Sequence, residues 1–252
     1  MRHPIQRCLM VAAILAFMCG SAWAQPAGKD WYGALRLGYQ PYNLEVEGTF
    51  RGQDFDAEAD LSDIMDDYDT TILGGELEFG TGPYFFLISA FFQETEVEEG
   101  SPATTGFFGE FTKTAINPML GYVVYKDQGL KVDLMAGAFY VKMEVEANVF
   151  RGGVLTAIDE DIDFTDPMIG ARVGFRWTKN WSTGASGEIG GFGVGSELQY
   201  VLAANVGYDF TDWFKVFGGY KYWYFKYEDD GAQLSELEHT LHGPVIGVQF
   251  TF

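Results

Sequence analysis

Few residues in this chain could do chemistry. After residue 3 the only imidazoles are His239 and His242. Three apart in an extended chain, they fall on opposite faces. Glu238 precedes the first and Ser235 lies four residues upstream of it, the raw material for a base or a hydroxyl nucleophile. A Ser-His hydrolase also needs a nucleophile elbow and an oxyanion motif, and neither accompanies Ser235. No Walker-type, GxGxxG or HExxH pattern occurs. A place at a rim or in an interfacial aromatic belt accounts for both histidines better than catalysis does, so no catalytic residue is assigned. Both cysteines, Cys8 and Cys19, precede residue 25. Without them there are no disulfides, thiol nucleophiles or Cys-ligated metals.

The second set with ligand chemistry is acidic. One segment carries Asp54, Asp56, Glu58 and Asp60, then Asp63, Asp66, Asp67 and Asp69; another carries Asp159, Glu160, Asp161, Asp163 and Asp166. Hard divalent cations favour several carboxylates, which makes Asp54, Asp56, Glu58, Asp60, Asp159, Asp161 and Asp163 candidates for diffuse cation binding. The calcium-loop spacing D-x-[DN]-x-[DN]-G-x5-E is absent, so no specific metal site and no cofactor is expected. The alternative is a solvated acidic surface. Within the first segment, Leu61 to Asp67 fits one amphipathic turn.

The elements that must position these residues are strands. Acids outnumber bases 36 to 16, giving a net charge of -20, which excludes the basic surface that nucleic acid requires. A hydrophobic content of 47% argues against disorder. The single long apolar run, Leu9 to Met18, follows Arg2 and Arg7 and precedes the small-x-small site Ala22-Trp23-Ala24. It is too short to cross a bilayer as a helix, which takes about 20 residues. Residues 1–24 therefore read as a cleaved secretory signal peptide, leaving residues 25–252 as one domain.

Past Gln25 the dominant period is two. Trp31, Leu35, Leu37 and Tyr39 oppose Arg36 and Gln40; Leu130, Val132, Leu134 and Tyr140 oppose Lys131 and Asp133; Ile169, Val173 and Phe175 oppose Arg172 and Arg176. One face is apolar with aromatics near its ends, and the other holds glycine, serine and opposite charges. That suits a barrel whose apolar face meets lipid and whose interior is polar. The fold class is all-β, a transmembrane antiparallel up-and-down barrel. Ten strands fit best, at 31–47, 71–80, 84–97, 107–125, 130–147, 165–177, 181–190, 198–210, 213–227 and 238–252; a misread hairpin near Gly184–Gly195 would make it eight or twelve. Short turns at 81–83, 126–129, 178–180 and 211–212 alternate with longer acidic links at 48–70, 98–106, 148–164, 191–197 and 228–237.

The chain ends Gly247-Val248-Gln249-Phe250-Thr251-Phe252, an alternating strand closing on an aromatic ring. This looks like the terminal β-signal of Gram-negative outer-membrane proteins, with Phe252 the residue read by the barrel-assembly machinery. Leader, girdles, turn asymmetry and terminal ring together resemble the small outer-membrane barrels of the OmpA, OmpX and OmpW kind, although those have fewer strands. The resemblance implies an outer-membrane location, with lipid and lipopolysaccharide as surroundings and divalent cations at the acidic loops as further partners. Nothing but Phe252 follows the last alternating run, so peptidoglycan anchoring through an appended module is not expected. The ten-stranded omptin proteases use an Asp-Asp and an Asp-His couple on the rim. Asp54-Phe55-Asp56 has the form of the first, but Glu238-His239 lacks the spacing of the second, and no catalytic role is carried over.

The inward set expected from the alternation is Arg36, Lys113, Lys131, Arg172, Arg176, Lys215 and Lys221 with Glu76, Glu78, Asp133, Glu188 and Asp209. In a narrow barrel these charges must pair. The expected role is non-catalytic, structural or surface-interacting. A second reading is a narrow charge-lined pore widened by inward glycines, and a third is a hydrolase acting on lipid or peptide.

Overall fold

The computed structural model describes residues 31–50, 53–59, 69–101, 105–151, 154–229 and 234–252. The proposed leader and the 61–67 turn lie outside them. The strands are β1 (Trp31–Tyr39), β2 (Asn43–Phe50), β3 (Gln53–Ala59), β4 (Asp69–Thr81), β5 (Tyr84–Ser101), β6 (Thr105–Asp127), β7 (Leu130–Arg151), β8 (Val154–Arg176), β9 (Trp181–Gly191), β10 (Leu198–Asp209), β11 (Phe214–Glu228) and β12 (Leu234–Thr251). Sequential antiparallel pairing from β4 to β12, with β1 joining β4 to β12, closes a ten-stranded barrel. Pro41 has no N–H to offer a ladder, and β1 stops just before it. Beyond it β2 continues along β12 and turns back as β3.

The outward-facing residues decide the solvent. Leu120 is 69% exposed and Ile246 61%, a waste of burial in water but the expected surface in lipid. Trp31, Phe79, Tyr84, Trp177, Trp181 and Phe210 are exposed near the short turns. At the other end the outward series changes from apolar to charged: from Phe92 to Glu94 on β5, from Tyr140 to Lys142 on β7, and from Ile169 and Pro167 to Asp163 and Asp161 on β8. A strand crosses a bilayer in about 9–11 residues. The 23 residues of β6 and of β8 therefore carry the wall well beyond the membrane.

The structure corrects the expected acidic links. Residues 98–106 and 148–164 are mostly continuations of β5–β8, and 48–70 contains β3. Asp54, Asp56 and Glu58 therefore sit on a strand, as do Asp159, Asp161 and Asp163. Above the bilayer the outer face meets water, so acids alternate with inward Ile162 and Phe164 without breaking the strand. Acidity alone is therefore no loop signal in this chain.

Short turns follow local chemistry. Gln128 and Gly129 have φ of 45° and 86°, the paired positive values of a type I′ hairpin. The seam is closed by the chain end. The Gly33 N–H donates to the Phe252 carbonyl at 3.2 Å, and the terminal ring meets Trp31 and Phe79 edge-on, each centroid 6.1 Å away. A Cβ at Gly33 would lie 2.5 Å from that ring. Gly33→Val is expected to displace Phe252 and cost about 1–3 kcal/mol. It should lower the temperature at which the folded band disappears in heat-modifiable gel migration, whereas Gly218→Ala, whose Cβ would meet nothing closer than 3.8 Å, should shift it less.

Candidate lumen site

The interior has two storeys. Near the short turns lies an ionic layer centred on Glu78, which is 1% exposed. Its Oε2 accepts from Arg36 Nη2 at 3.1 Å and Arg172 Nη1 at 2.8 Å, while Oε1 accepts from the Tyr32 hydroxyl at 2.8 Å. Arg36 also pairs with Glu76 and donates to Gln249 Oε1 at 3.0 Å. Arg172 Nε reaches Asp133 Oδ2 at 2.9 Å, and Lys131 reaches the same oxygen at 3.1 Å. Asp209 holds Arg176 and Lys215 at 3.3 Å each. Nine of the twelve charges expected inside the barrel, Arg36, Glu76, Glu78, Lys131, Asp133, Arg172, Arg176, Asp209 and Lys215, meet in this layer.

The other three depart from close pairing. Glu188 accepts from Asn117 Nδ2 at 2.7 Å, and Lys221 faces the same space without an ion pair among the described residues. Lys113 lies farther toward the long strands, fully buried, with Nζ 2.6 Å from His239 Nε2. Its Nζ faces aromatic rings, Trp223 at 4.5 Å and Phe91 at 5.7 Å, rather than a carboxylate.

Around Lys113 the second storey is apolar. Phe139 lies 5.3 Å from Trp223, His239 stacks on Phe225 at 4.8 Å, and Phe164 stacks on Tyr227 at 5.5 Å. Met143, Met168 and Leu237 pack into the same cluster. This aromatic plug replaces the polar lumen expected there. Its sequence signal is the doublets Phe91-Phe92 and Phe139-Tyr140 and the run Tyr222–Tyr227, which put one ring on each face. Inward glycines do not all widen the lumen either: a Cβ at Gly121 would lie 2.0 Å from the Phe85 ring, so that glycine seats a neighbour.

The plug is braced from the β9–β10 turn. Asp166, the last acid of the second acidic segment, is buried and accepts from the Ser196 N–H at 2.7 Å and its hydroxyl at 2.5 Å. Oriented to satisfy both neighbours, the Gln199 amide donates to Asp166 Oδ2 at 2.6 Å and accepts from Trp223 Nε1 at 3.0 Å.

His239 is 1% exposed inside the plug, not at a rim. His242 points outward, stacked on Tyr222, with Nδ1 2.6 Å from the Tyr220 hydroxyl. Adjacent residues on a strand face opposite ways, so Glu238 turns away from His239 and engages Tyr224 and Lys226. Among the described residues no group of three metal-ligating side chains converges. Asp161 and Asp163 are exposed on the outer wall; the Asp54, Asp56, Glu58, Asp60 and Asp159 side chains lie outside the described residues.

No protein-family model matches the chain, and no curated protein matches it in sequence. Among solved structures it is similar to the outer membrane protease OmpT from Escherichia coli, with a TM-score of 0.57 and 11% identity over 91% of this chain and 99% of that one. Weaker likenesses are the translocator domain of the autotransporter NalP from Neisseria meningitidis, TM-score 0.41, 8% identity over 98% and 95%, and Ail, the attachment invasion locus protein of Yersinia pestis, TM-score 0.36, 12% identity over 89% and 100%. At such identities the likeness to OmpT speaks for the fold alone. The chain folds as a closed antiparallel ten-stranded β-barrel, the architecture of that outer-membrane protein.

The ionic layer generates a stability prediction. Glu78→Gln takes from Arg36 and Arg172 the carboxylate they share and leaves each its second one, Glu76 or Asp133, so the expected cost is that of weakened charge-assisted hydrogen bonds, about 1.5–3 kcal/mol. Urea unfolding in lipid vesicles should register that loss. Glu76→Gln, at a more solvated carboxylate, should cost about 1 kcal/mol or less.

Proposed function

We propose that this barrel is a non-catalytic, non-conducting element of the outer membrane whose role is structural and surface-interacting. The observation that carries the reading is the aromatic plug around Trp223, Phe139 and Lys113, which fills the half of the lumen nearer the long strands. Below it the Glu78 layer ties β1, β4 and β8 together across the interior. A barrel filled by side chains is a rod, not a conduit. What it offers outward is a tall acidic wall, standing clear of the headgroups, and a seam closed by Phe252.

The reading includes its surroundings. The chain is exported through the leader of residues 1–24, the barrel-assembly machinery reads Phe252, and lipid and lipopolysaccharide surround the apolar belt. Divalent cations gather diffusely at the acidic wall. A hydrolytic role lacks support, because His239 is packed against a lysine and neither Glu238 nor Ser235 forms a couple with it.

Planar-bilayer recording of folded protein tests the reading. The wild type should be silent, and Trp223→Ala combined with Phe139→Ala should produce discrete steps. Regular single-channel openings from the wild type would replace it with the pore reading, and the ion preference of Arg172 variants would then become the next question.

A further inference from the structure

Between the two storeys lies a chamber of about 260 Å³. Its lining includes a cation and an anion that do not touch. Lys221 on β11 and Glu188 on β9 flank β10, where Ala203 stands opposite Lys221 and Val201 opposite Glu188. Neither residue forms an ion pair within 4 Å among the described residues, although both line the same space. Both side chains are half-buried, so a solute in the chamber can answer both charges at once.

Two amides belong to the same lining. Asn117, 5% exposed, spends its amide nitrogen on Glu188 and leaves Oδ1 without a partner; Gln40, 7% exposed, leaves Nε2 without one. Both line the chamber from other walls. The charged groups that line the chamber without an ion pair are therefore Lys221 and Glu188, and the unpartnered amide atoms Gln40 Nε2 and Asn117 Oδ1 are sealed within its wall. Phe91, Phe139 and Trp223 cover the chamber on the plug side.

We infer that the chamber binds a small zwitterion with an apolar side chain, of the α-amino acid class. Its carboxylate lies toward Lys221, its ammonium toward Glu188, and its side chain against the three rings. A lone anion would leave Glu188 unanswered and a lone cation would leave Lys221 so; a neutral molecule carrying both charges answers both. The volume agrees, being below the roughly 300–1,000 Å³ of pockets for drug-sized ligands. Entry is from the short-turn end. A second cavity of about 700 Å³ lies there and is lined, like the chamber, by Arg36 and Arg172, so a solute reaches the chamber past those two side chains. Nothing in this requires that the barrel conduct.

The test uses folded protein in detergent, with L-phenylalanine as probe and calorimetry as readout. Saturable binding of one molecule per barrel is expected. Lys221→Met and Glu188→Gln should each weaken it about tenfold or more, the worth of one hydrogen bond to a charged group. Phenethylamine and 3-phenylpropionate, each missing one charge, should bind more weakly by a similar factor. Because the charge variants could fail to fold, Gly74→Leu supplies a second arm. A Cβ at Gly74 meets nothing closer than 3.8 Å, so leucine fills the chamber with its charges intact, and binding should vanish from a barrel of normal heat-modifiable migration. No saturable heat with the wild type would overturn the inference. So would undiminished binding in folded Gly74→Leu protein, or 3-phenylpropionate binding as tightly as the amino acid.

Discussion

The rest of the barrel depends on one buried carboxylate. Glu78 takes a guanidinium from β1 and another from β8 on a single oxygen, 3.1 and 2.8 Å away. A sheet closed by backbone hydrogen bonds alone fixes its circumference but not its cross-section. Charges that reach across the lumen hold the walls at a set separation, because stretching a buried ion pair leaves its members unsolvated. Arg172 then extends the constraint to Asp133 on β7, and Arg36 extends it to Gln249 on β12. Five strands are thereby tied through two arginines.

With that end fixed, the other storey can be apolar. The plug is not supported by lipid, so it holds by packing, and the Nζ of Lys113 within it faces aromatic rings and an imidazole. Its brace runs from Ser196 through Asp166 and Gln199 to Trp223, every link buried. The turn between β9 and β10 is thus coupled to the centre of the plug, although it stands beside much taller strands. Between the storeys, where neither pairing nor packing is complete, the unpaired Lys221 and Glu188 remain facing open space.

Much of this was legible in the sequence, and the failures share a cause. Alternation located all ten crossings, because in a membrane barrel each face has a single solvent. It also separated inward Arg36, Glu78 and Arg172 from outward Leu35, Leu77 and Val173. Which carboxylate would face which cation was not legible, since partners such as Glu78 and Arg172 lie far apart in the chain and meet only across the closed lumen. The plug was missed because aromatic residues were credited to the lipid face, while doublets such as Phe91-Phe92 serve both. Acids are common in loops, which makes the stretch before Asp166 read as one, although Asp159, Asp161 and Asp163 share one parity and Ile162 and Phe164 the other, a strand signal.

Thiol accessibility shows whether the side chains of the plug seal the lumen from outside. With the proposed leader of residues 1–24 removed, the chain holds no cysteine, and single introduced thiols are then read without background. Ser186→Cys places one in the chamber, and Val194→Cys places one in the exposed β9–β10 turn. On intact cells a membrane-impermeant maleimide should label position 194 and leave position 186 unmodified until the barrel is unfolded. Comparable labelling of both positions from outside would contradict the account.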